Sequence, residues 1–139
     1  MPQGVSSPMD GTIRPKRAQC DEETSGTQEE RMNRFWNPDG MAARQLAPGV
    51  TAKIASGEKL MFSLVTLAPD AVVPTHSHPH EQMGMMVSGM LELTVAGETC
   101  TLSGNAIFLV PGGVPHKAVA GPQGAMTLEA FSPPREEFR

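Results

Sequence analysis

Short apolar runs alternate with Gly, Pro and Asp residues at intervals of roughly ten residues from Met41 to the end of the chain. Regularly spaced short runs of this kind are typical of an all-β sandwich or barrel. No segment has a long apolar period of 3.6 residues, so we expect little helix. The predicted strands span residues 51–55, 60–67, 82–87, 90–95, 98–102, 106–110, 116–119 and 126–131.

The segments between the predicted strands have the composition of turns. These turns are predicted at Ser56-Gly57, Ser88-Gly89, Ala96-Gly97, Ser103-Gly104 and Gly121-Pro122. No internal repeat is visible, which favours one barrel over two. Residues 1–30 are rich in Ser, Thr, Gly, Pro and charge and have no apolar periodicity, which predicts a poorly structured arm. The expected organisation is an N-terminal arm over residues 1–40 and a β-barrel domain over residues 41–139.

Composition narrows the class of partner. The chain has 139 residues, which is the size of a single domain. Its net charge of −4 disfavours a nucleic-acid surface or a polybasic membrane contact. No apolar run approaches the roughly 18 residues needed to span a bilayer, and the N-terminus lacks the pattern of a secretory signal. Cys20 and Cys100 lie in very different contexts, which makes a disulfide framework improbable. We therefore expect a cytoplasmic protein that binds a small molecule.

All four histidines of the chain lie in two short runs. His76, His78 and Gln82 have even spacing, so on one extended strand their side chains would leave the same face. His116 follows in the run 111–116. Three imidazoles and an amide that converge on one point predict a site for one divalent transition metal, Zn, Ni, Mn or Fe. The alternatives are a group of hydrogen-bonded core histidines and, for Gln82, a structural amide.

A candidate proton carrier and a candidate anion binder follow near the C-terminus. The chain contains no Tyr, so a tyrosine cannot act as the base. Glu129 is the best remaining acid or base, because it lies in a strand-like run on the same face as Phe131. Arg135 follows two prolines and is suited to hold a substrate carboxylate by two parallel hydrogen bonds. The alternatives are an exposed strand charge for Glu129 and a surface position for Arg135.

The spacing of these residues resembles that of a known family. The pattern His76-x-His78-x3-Gln82-x6-Gly89 resembles the first motif of the cupin superfamily, whose fourth member is usually Glu, and Pro111-x-Gly113-x2-His116 resembles the second. The resemblance implies a small β-barrel, or jelly roll, with a metal at its mouth. The implied metal ligands are His76, His78, Gln82 and His116.

Within the cupins, the run from His76 to Gln82 and the C-terminal run from Phe131 to Arg135 are similar to the pectin-degradation group that opens the ring of 4,5-unsaturated uronates. That similarity implies a pocket lined by Glu129, Phe131 and Arg135, with Glu129 where the group has Asp. Small cupins commonly pair, so the resemblance also implies a homodimer.

The choice of Gln at position 82 bears on the chemistry. A Glu ligand would reduce the local charge of a divalent ion to about +1, whereas an amide leaves it near +2 and makes the metal a stronger Lewis acid. This shifts the expectation from oxygenase towards isomerase, cyclase or lyase chemistry. The predicted function is ring-opening isomerisation of an unsaturated uronate or a similar acidic sugar. The alternatives are a polyketide cyclase-like or other small-molecule cupin enzyme, and a non-catalytic ligand-binding or sensor cupin.

Overall fold

Eight antiparallel strands and two short 3-10 helices make up the part of the chain that the structure describes. The structure is a computed structural model that describes residues 34–139, so most of the predicted arm lies outside the described residues and its extent to residue 40 stays a prediction. The strands are β1 (Arg44–Ala47), β2 (Val50–Ser56), β3 (Met61–Leu67), β4 (Val72–His76), β5 (Glu81–Val95), β6 (Glu98–Leu102), β7 (Ile107–Val110) and β8 (His116–Ser132). The 3-10 helices are Pro38–Gly40 and Glu136–Phe138. The prediction of an all-β fold is confirmed.

Two long strands hold the barrel together. β5 and β8 pair along nearly their whole lengths, from Glu81 opposite Ser132 to Val95 opposite His116. The C-terminal half of β8 continues the sheet into β3, β2 and β1, and its N-terminal half pairs with β4. β5 pairs with β7 near its start and with β6 near its end. Each of the two long strands therefore pairs with different short strands near its two ends.

Two of the predicted turns are wrong. Ser88-Gly89 and Gly121-Pro122 lie inside β5 and β8, so four predicted strands are in fact two. The pairing register shifts on either side of Ser88 and Gly89, which marks bulges that bend the strand without ending it. Gly89 has a φ of 75°, and a Cβ there would collide with the backbone of Gly124 and Ala125, so the bend requires glycine.

The sequence also missed β1 and β4. Both are short, and β4 contains Pro74, which removes a backbone donor and weakens the strand signal. β4 nevertheless forms because Val72, Val73 and His76 pair with residues of β8. Its last residue is His76, so this strand places one of the candidate metal ligands.

The barrel interior is apolar and contains one large cavity. The core residues come from β2, β3, β5, β6, β7 and β8, with Val50, Met86 and Val110 almost fully buried. The cavity has a volume of about 370 Å³. Its inner part is lined by aliphatic side chains, namely Val50, Val65, Leu67, Leu91 and Leu93.

One outer face of the sheet is also apolar. Met83 lies between Leu109 on β7 and Ala130 on β8, and Met85 lies between Ile107 and Leu128 on the same strands. Met83 is 50% exposed and Ile107 is 67% exposed. We refer to Met83, Met85, Ile107 and Leu109 as the outer apolar face. None of the helices within residues 34–139 is long and apolar enough to cross a membrane.

Candidate metal centre

The candidate metal ligands come from three strands and one loop. His76 ends β4 and is the direct partner of His116, the first residue of β8. His78 lies in the loop between β4 and β5, and Gln82 is the second residue of β5. The expectation that His76, His78 and Gln82 share one strand is wrong, because residues 77–80 interrupt the strand. The side chains converge through this change of direction and not through strand alternation.

Three of the four histidines form one compact cluster. The ring centroids of His76 and His116 are 4.2 Å apart, those of His78 and His116 are 4.9 Å apart, and those of His76 and His78 are 5.8 Å apart. One ring nitrogen from each lies within 4.8 Å of those of the other two. The cluster can therefore hold one metal ion through three imidazoles.

The backbone selects the nitrogen that each histidine offers. Nδ1 of His76 lies 2.8 Å from the carbonyl oxygen of Pro74, and Nδ1 of His116 lies 2.9 Å from that of Val114. Nδ1 of His78 lies 3.1 Å from the carbonyl oxygen of His80. A carbonyl oxygen only accepts, so each Nδ1 carries the proton and each Nε2 carries a lone pair. This is the orientation in which metal-binding histidines are usually held.

The lone pairs on Nε2 of His78 and His116 face no hydrogen-bond donor among residues 34–139. Nε2 of His116 is buried and has no hydrogen-bond partner within residues 34–139. Nε2 of His78 lies 3.0 Å from Oε1 of Gln82, and with the proton on Nδ1 this contact joins two lone pairs. A cation would satisfy these lone pairs, so the three-histidine cluster fits a metal ion.

The electrostatics of the cluster keep two imidazoles neutral. Burial lowers the pKa of His78, and the nearby Arg135 guanidinium lowers it further. Burial also lowers the pKa of His116, although its hydrogen bond with Val114 acts in the opposite direction. Only a neutral imidazole can ligate a metal, so both groups are in the form that binding requires.

Glu129 lies next to the cluster and contacts the candidate amide ligand. Nε2 of Gln82 donates a hydrogen bond of 3.0 Å to Oε1 of Glu129. Burial raises the pKa of Glu129 from its ordinary value of 4.5 to about 7, although the Gln82 hydrogen bond and Arg135 both lower it. A carboxyl group with a pKa near neutrality can both release and accept a proton at physiological pH.

Arg135 lines the cavity and lies close to two aromatic rings. Its guanidinium carbon is 4.2 Å from the ring centroid of Phe138 and 5.4 Å from that of Phe131. Nη2 of Arg135 forms an ion pair of 2.8 Å with Glu137. The side chain of Arg135 is only 15% exposed, whereas that of Glu137 is 51% exposed. A cation held by stacking in a partly buried mouth is suited to bind an anionic ligand.

The predicted site residues meet at one cavity. His76, Gln82, His116, Glu129, Phe131 and Arg135 all line it. His78 reaches the site through its contact with Gln82, where Nε2 of His78 lies 3.0 Å from Oε1 of the amide. His80 is not a member of the three-histidine cluster. Its carbonyl oxygen accepts from Nδ1 of His78, and its ring centroid lies 5.4 Å from that of His78.

Sequence reasoning missed two kinds of contributor. Phe138 lines the cavity and stacks on Arg135, and the aromatic residue three positions after the predicted anion binder was a signal that could have identified it. The carbonyl oxygens of Pro74, His80 and Val114 orient the histidines. Main-chain acceptors exist at every position, so no residue type could have indicated them.

Comparison with known proteins agrees with this geometry. A family model described as a cupin domain matches residues 63–130. The pectin degradation protein KdgF of Dickeya dadantii (strain 3937) is 27% identical over 109 residues, which cover 77% of this chain and 99% of that protein. The structure of KdgF from Halomonas sp. is 30% identical with a TM-score of 0.73, and the match covers 78% of this chain and 100% of that one. An RmlC-like cupin from Shewanella frigidimarina NCIMB 400 is 27% identical with the same TM-score of 0.73, over 78% of this chain and 97% of that one. The chain belongs to the cupin family and is homologous to the KdgF pectin degradation protein.

Proposed function

We propose that this protein is a metal-dependent isomerase that opens the ring of a 4,5-unsaturated uronate or a similar acidic sugar. The observation that carries the proposal is the convergence of a histidine cluster, a buried carboxyl group and a stacked guanidinium on one cavity. The homology to KdgF, a protein named for pectin degradation, supports a substrate derived from an acidic polysaccharide.

The cavity matches such a substrate in charge and size. Among residues 34–139, Arg135 is the only Lys or Arg whose side chain lines it, and a guanidinium binds a carboxylate through two parallel hydrogen bonds. A volume of about 370 Å³ accommodates a monosaccharide. The guanidinium lies over the rings of Phe131 and Phe138, and these contacts restrict the position of the group that would bind the substrate carboxylate.

The reaction needs one group that moves a proton. Ring opening removes a proton from the anomeric hydroxyl as the bond from C1 to the ring oxygen breaks, and the ring oxygen keeps the bonding electrons as an enolate. The enolate then gains one proton on carbon and becomes a ketone. The products contain the same atoms as the substrate, so no co-reactant is required. Glu129 is the carboxyl group of the cavity wall, and its pKa of about 7 suits both transfers.

A bound divalent ion would supply a Lewis acid that polarises a substrate hydroxyl or carbonyl oxygen. His76, His78 and His116 would hold it, with Gln82 as the neutral fourth ligand. The metal, its identity and its stoichiometry of one per chain remain part of the proposal.

The apolar inner part of the cavity favours a second candidate. Leu67, Leu91 and Leu93 line this region, and a substrate with an aromatic or aliphatic part would bury it there. A polyketide cyclase-like cupin enzyme has such a substrate. A non-catalytic sensor cupin is less well supported, because a carboxyl group with a pKa of about 7 inside the cavity is a feature of acid–base catalysts.

Turnover of 4,5-unsaturated galacturonate, followed by loss of its ultraviolet absorbance, tests the proposal. We expect stoichiometric metal and turnover in the wild-type protein. Arg135→Lys keeps the charge but loses the two-pronged geometry, so we expect KM to rise about 10-fold or more with metal content unchanged. Arg44→Lys, the same change at an exposed position on β1, is the matched control.

The outcomes separate the candidates. Metal without turnover of the unsaturated uronate would refute the substrate assignment and favour an apolar substrate. An unchanged KM in Arg135→Lys would refute the role of Arg135 as the carboxylate binder. Wild-type protein without metal would refute the whole proposal.

A further inference from the structure

Gln82 differs from the three histidines in how its ligand atom is oriented. Main-chain carbonyls fix which nitrogen each histidine offers. An amide has an oxygen that binds cations and an NH₂ group that does not, and a half rotation of the side chain exchanges the two. The amide therefore needs a partner that distinguishes oxygen from nitrogen.

Glu129 is that partner. Its Oε1 accepts a hydrogen bond of 3.0 Å from Nε2 of Gln82, while Oε1 of Gln82 lies 3.0 Å from Nε2 of His78. In its ionised form the Glu129 carboxylate only accepts hydrogen bonds, so it attracts the NH₂ group and repels the amide oxygen. We infer that Glu129 is a positioning residue for Gln82, turning the amide oxygen towards the histidine cluster.

The sheet register builds this contact. Gln82 is opposite Phe131 and Gly84 is opposite Glu129, so Gln82 and Glu129 are diagonal neighbours across β5 and β8. Diagonal neighbours are within reach of each other when both side chains are long. Gly84 leaves no side chain beside Glu129, and the ring of Phe108 occupies the space where a Cβ of residue 84 would be. Residue 84 therefore contributes no side chain that could separate Gln82 from Glu129, and the two side chains meet.

The contact also accounts for the residue type at position 82. A Glu at this position would place two carboxylates about 3 Å apart in a buried wall, where like charges disfavour each other's ionised form. An amide removes the repulsion and supplies the donor that Glu129 accepts. Gln82 and Glu129 are therefore a matched pair, and the neutral ligand follows from the presence of the carboxylate.

This inference rests on the metal site of the proposed function but not on its substrate. The test is a double-mutant cycle of Glu129→Gln and Gln82→Ala, with the affinity for Co²⁺ measured in competition with a chelator. Glu129→Gln is isosteric, and its amide can donate as well as accept, so it no longer distinguishes the two ends of Gln82. The substitution also removes a negative charge, and the Gln82→Ala background measures that effect alone.

We expect Glu129→Gln to weaken Co²⁺ binding about 10-fold more in the wild-type background than in the Gln82→Ala background, which is the usual size of an orienting contact. The visible spectrum of the Co²⁺ form should shift towards that of Gln82→Ala, because the amide oxygen is lost as a ligand. Equal losses in the two backgrounds would overturn the inference. Glu129→Ala, taken through the same cycle, provides the measurement if Glu129→Gln does not fold.

The two proposals fail separately. Wild-type protein that binds Co²⁺ but does not turn over the unsaturated uronate would refute the proposed function and leave the positioning role intact. Turnover with equal losses of Co²⁺ affinity in the two backgrounds would refute the positioning role and leave the proposed function intact.

Discussion

Glu129 should make the stability of the metal-free protein depend on pH in a defined direction. Its pKa rises from 4.5 to about 7 on folding because burial disfavours the charged form. The folded protein then binds the proton more tightly than the unfolded chain, so the stabilisation is complete below pH 4.5 and is lost as the pH rises towards 7. Substitution by Gln removes this titration and keeps the shape of the side chain.

The size of the effect follows from the shift. A rise of roughly 2.5 pH units, from 4.5 to about 7, corresponds to about 3 kcal/mol of unfolding free energy at about 1.4 kcal/mol per unit. Because Glu129 retains some exposure to the cavity, we expect between about 2 and 3 kcal/mol. Relative to wild type, Glu129→Gln should therefore gain this amount between pH 5 and pH 8.

Urea denaturation at pH 5, 6, 7 and 8 in the presence of a chelator measures the difference. Other groups that titrate in this range, including His78 and His116, contribute equally to both proteins and cancel. Glu92→Gln, the same chemical change at an exposed position on β5, is the matched control. A difference between wild type and Glu129→Gln that stays constant with pH, or that changes in favour of wild type, would refute the argument.

Two further predictions concern packing. Gly84→Ala should lower the free energy of unfolding by about 1–3 kcal/mol, because the new Cβ would collide with the ring of Phe108; thermal denaturation measures this, and an unchanged melting temperature would contradict it. We also propose that the outer apolar face pairs two copies of the chain, since apolar patches of this extent usually mark an interface. Met83→Lys should then convert a dimer to a monomer in sedimentation analysis with its metal content unchanged, and a monomeric wild-type protein would disprove the pairing.

The sequence predicted the fold class better than the limits of the strands. Short apolar runs indicated an all-β structure, which the strand ladder confirms. The residue types of Gly89 and Pro122 predict turns at both positions. Pairing between two 15- to 17-residue strands overrode that local preference, and such long-range pairing leaves no trace in a short window of sequence.

For the candidate site, the sequence predicted which residues take part but not how their side chains are oriented. The residues that carry ligand or proton chemistry could be named from their types and spacing, and the structure brings His76, His116, Glu129 and Arg135 to one cavity. Their orientation could not be predicted, since it depends on contacts between strands that are far apart in the chain. The hydrogen bond between Gln82 and Glu129 spans 47 residues, and only the register of β5 and β8 reveals it.

The way the histidines are oriented has an evolutionary consequence. Their partners are main-chain carbonyls of Pro74, His80 and Val114, and every substitution at those positions still provides a carbonyl. Drift in the surrounding sequence therefore leaves the imidazole tautomers unchanged as long as the backbone path is kept. The amide of Gln82 is held by a side chain instead, so it is the proposed ligand through which mutation can most readily change the affinity and charge of the proposed centre.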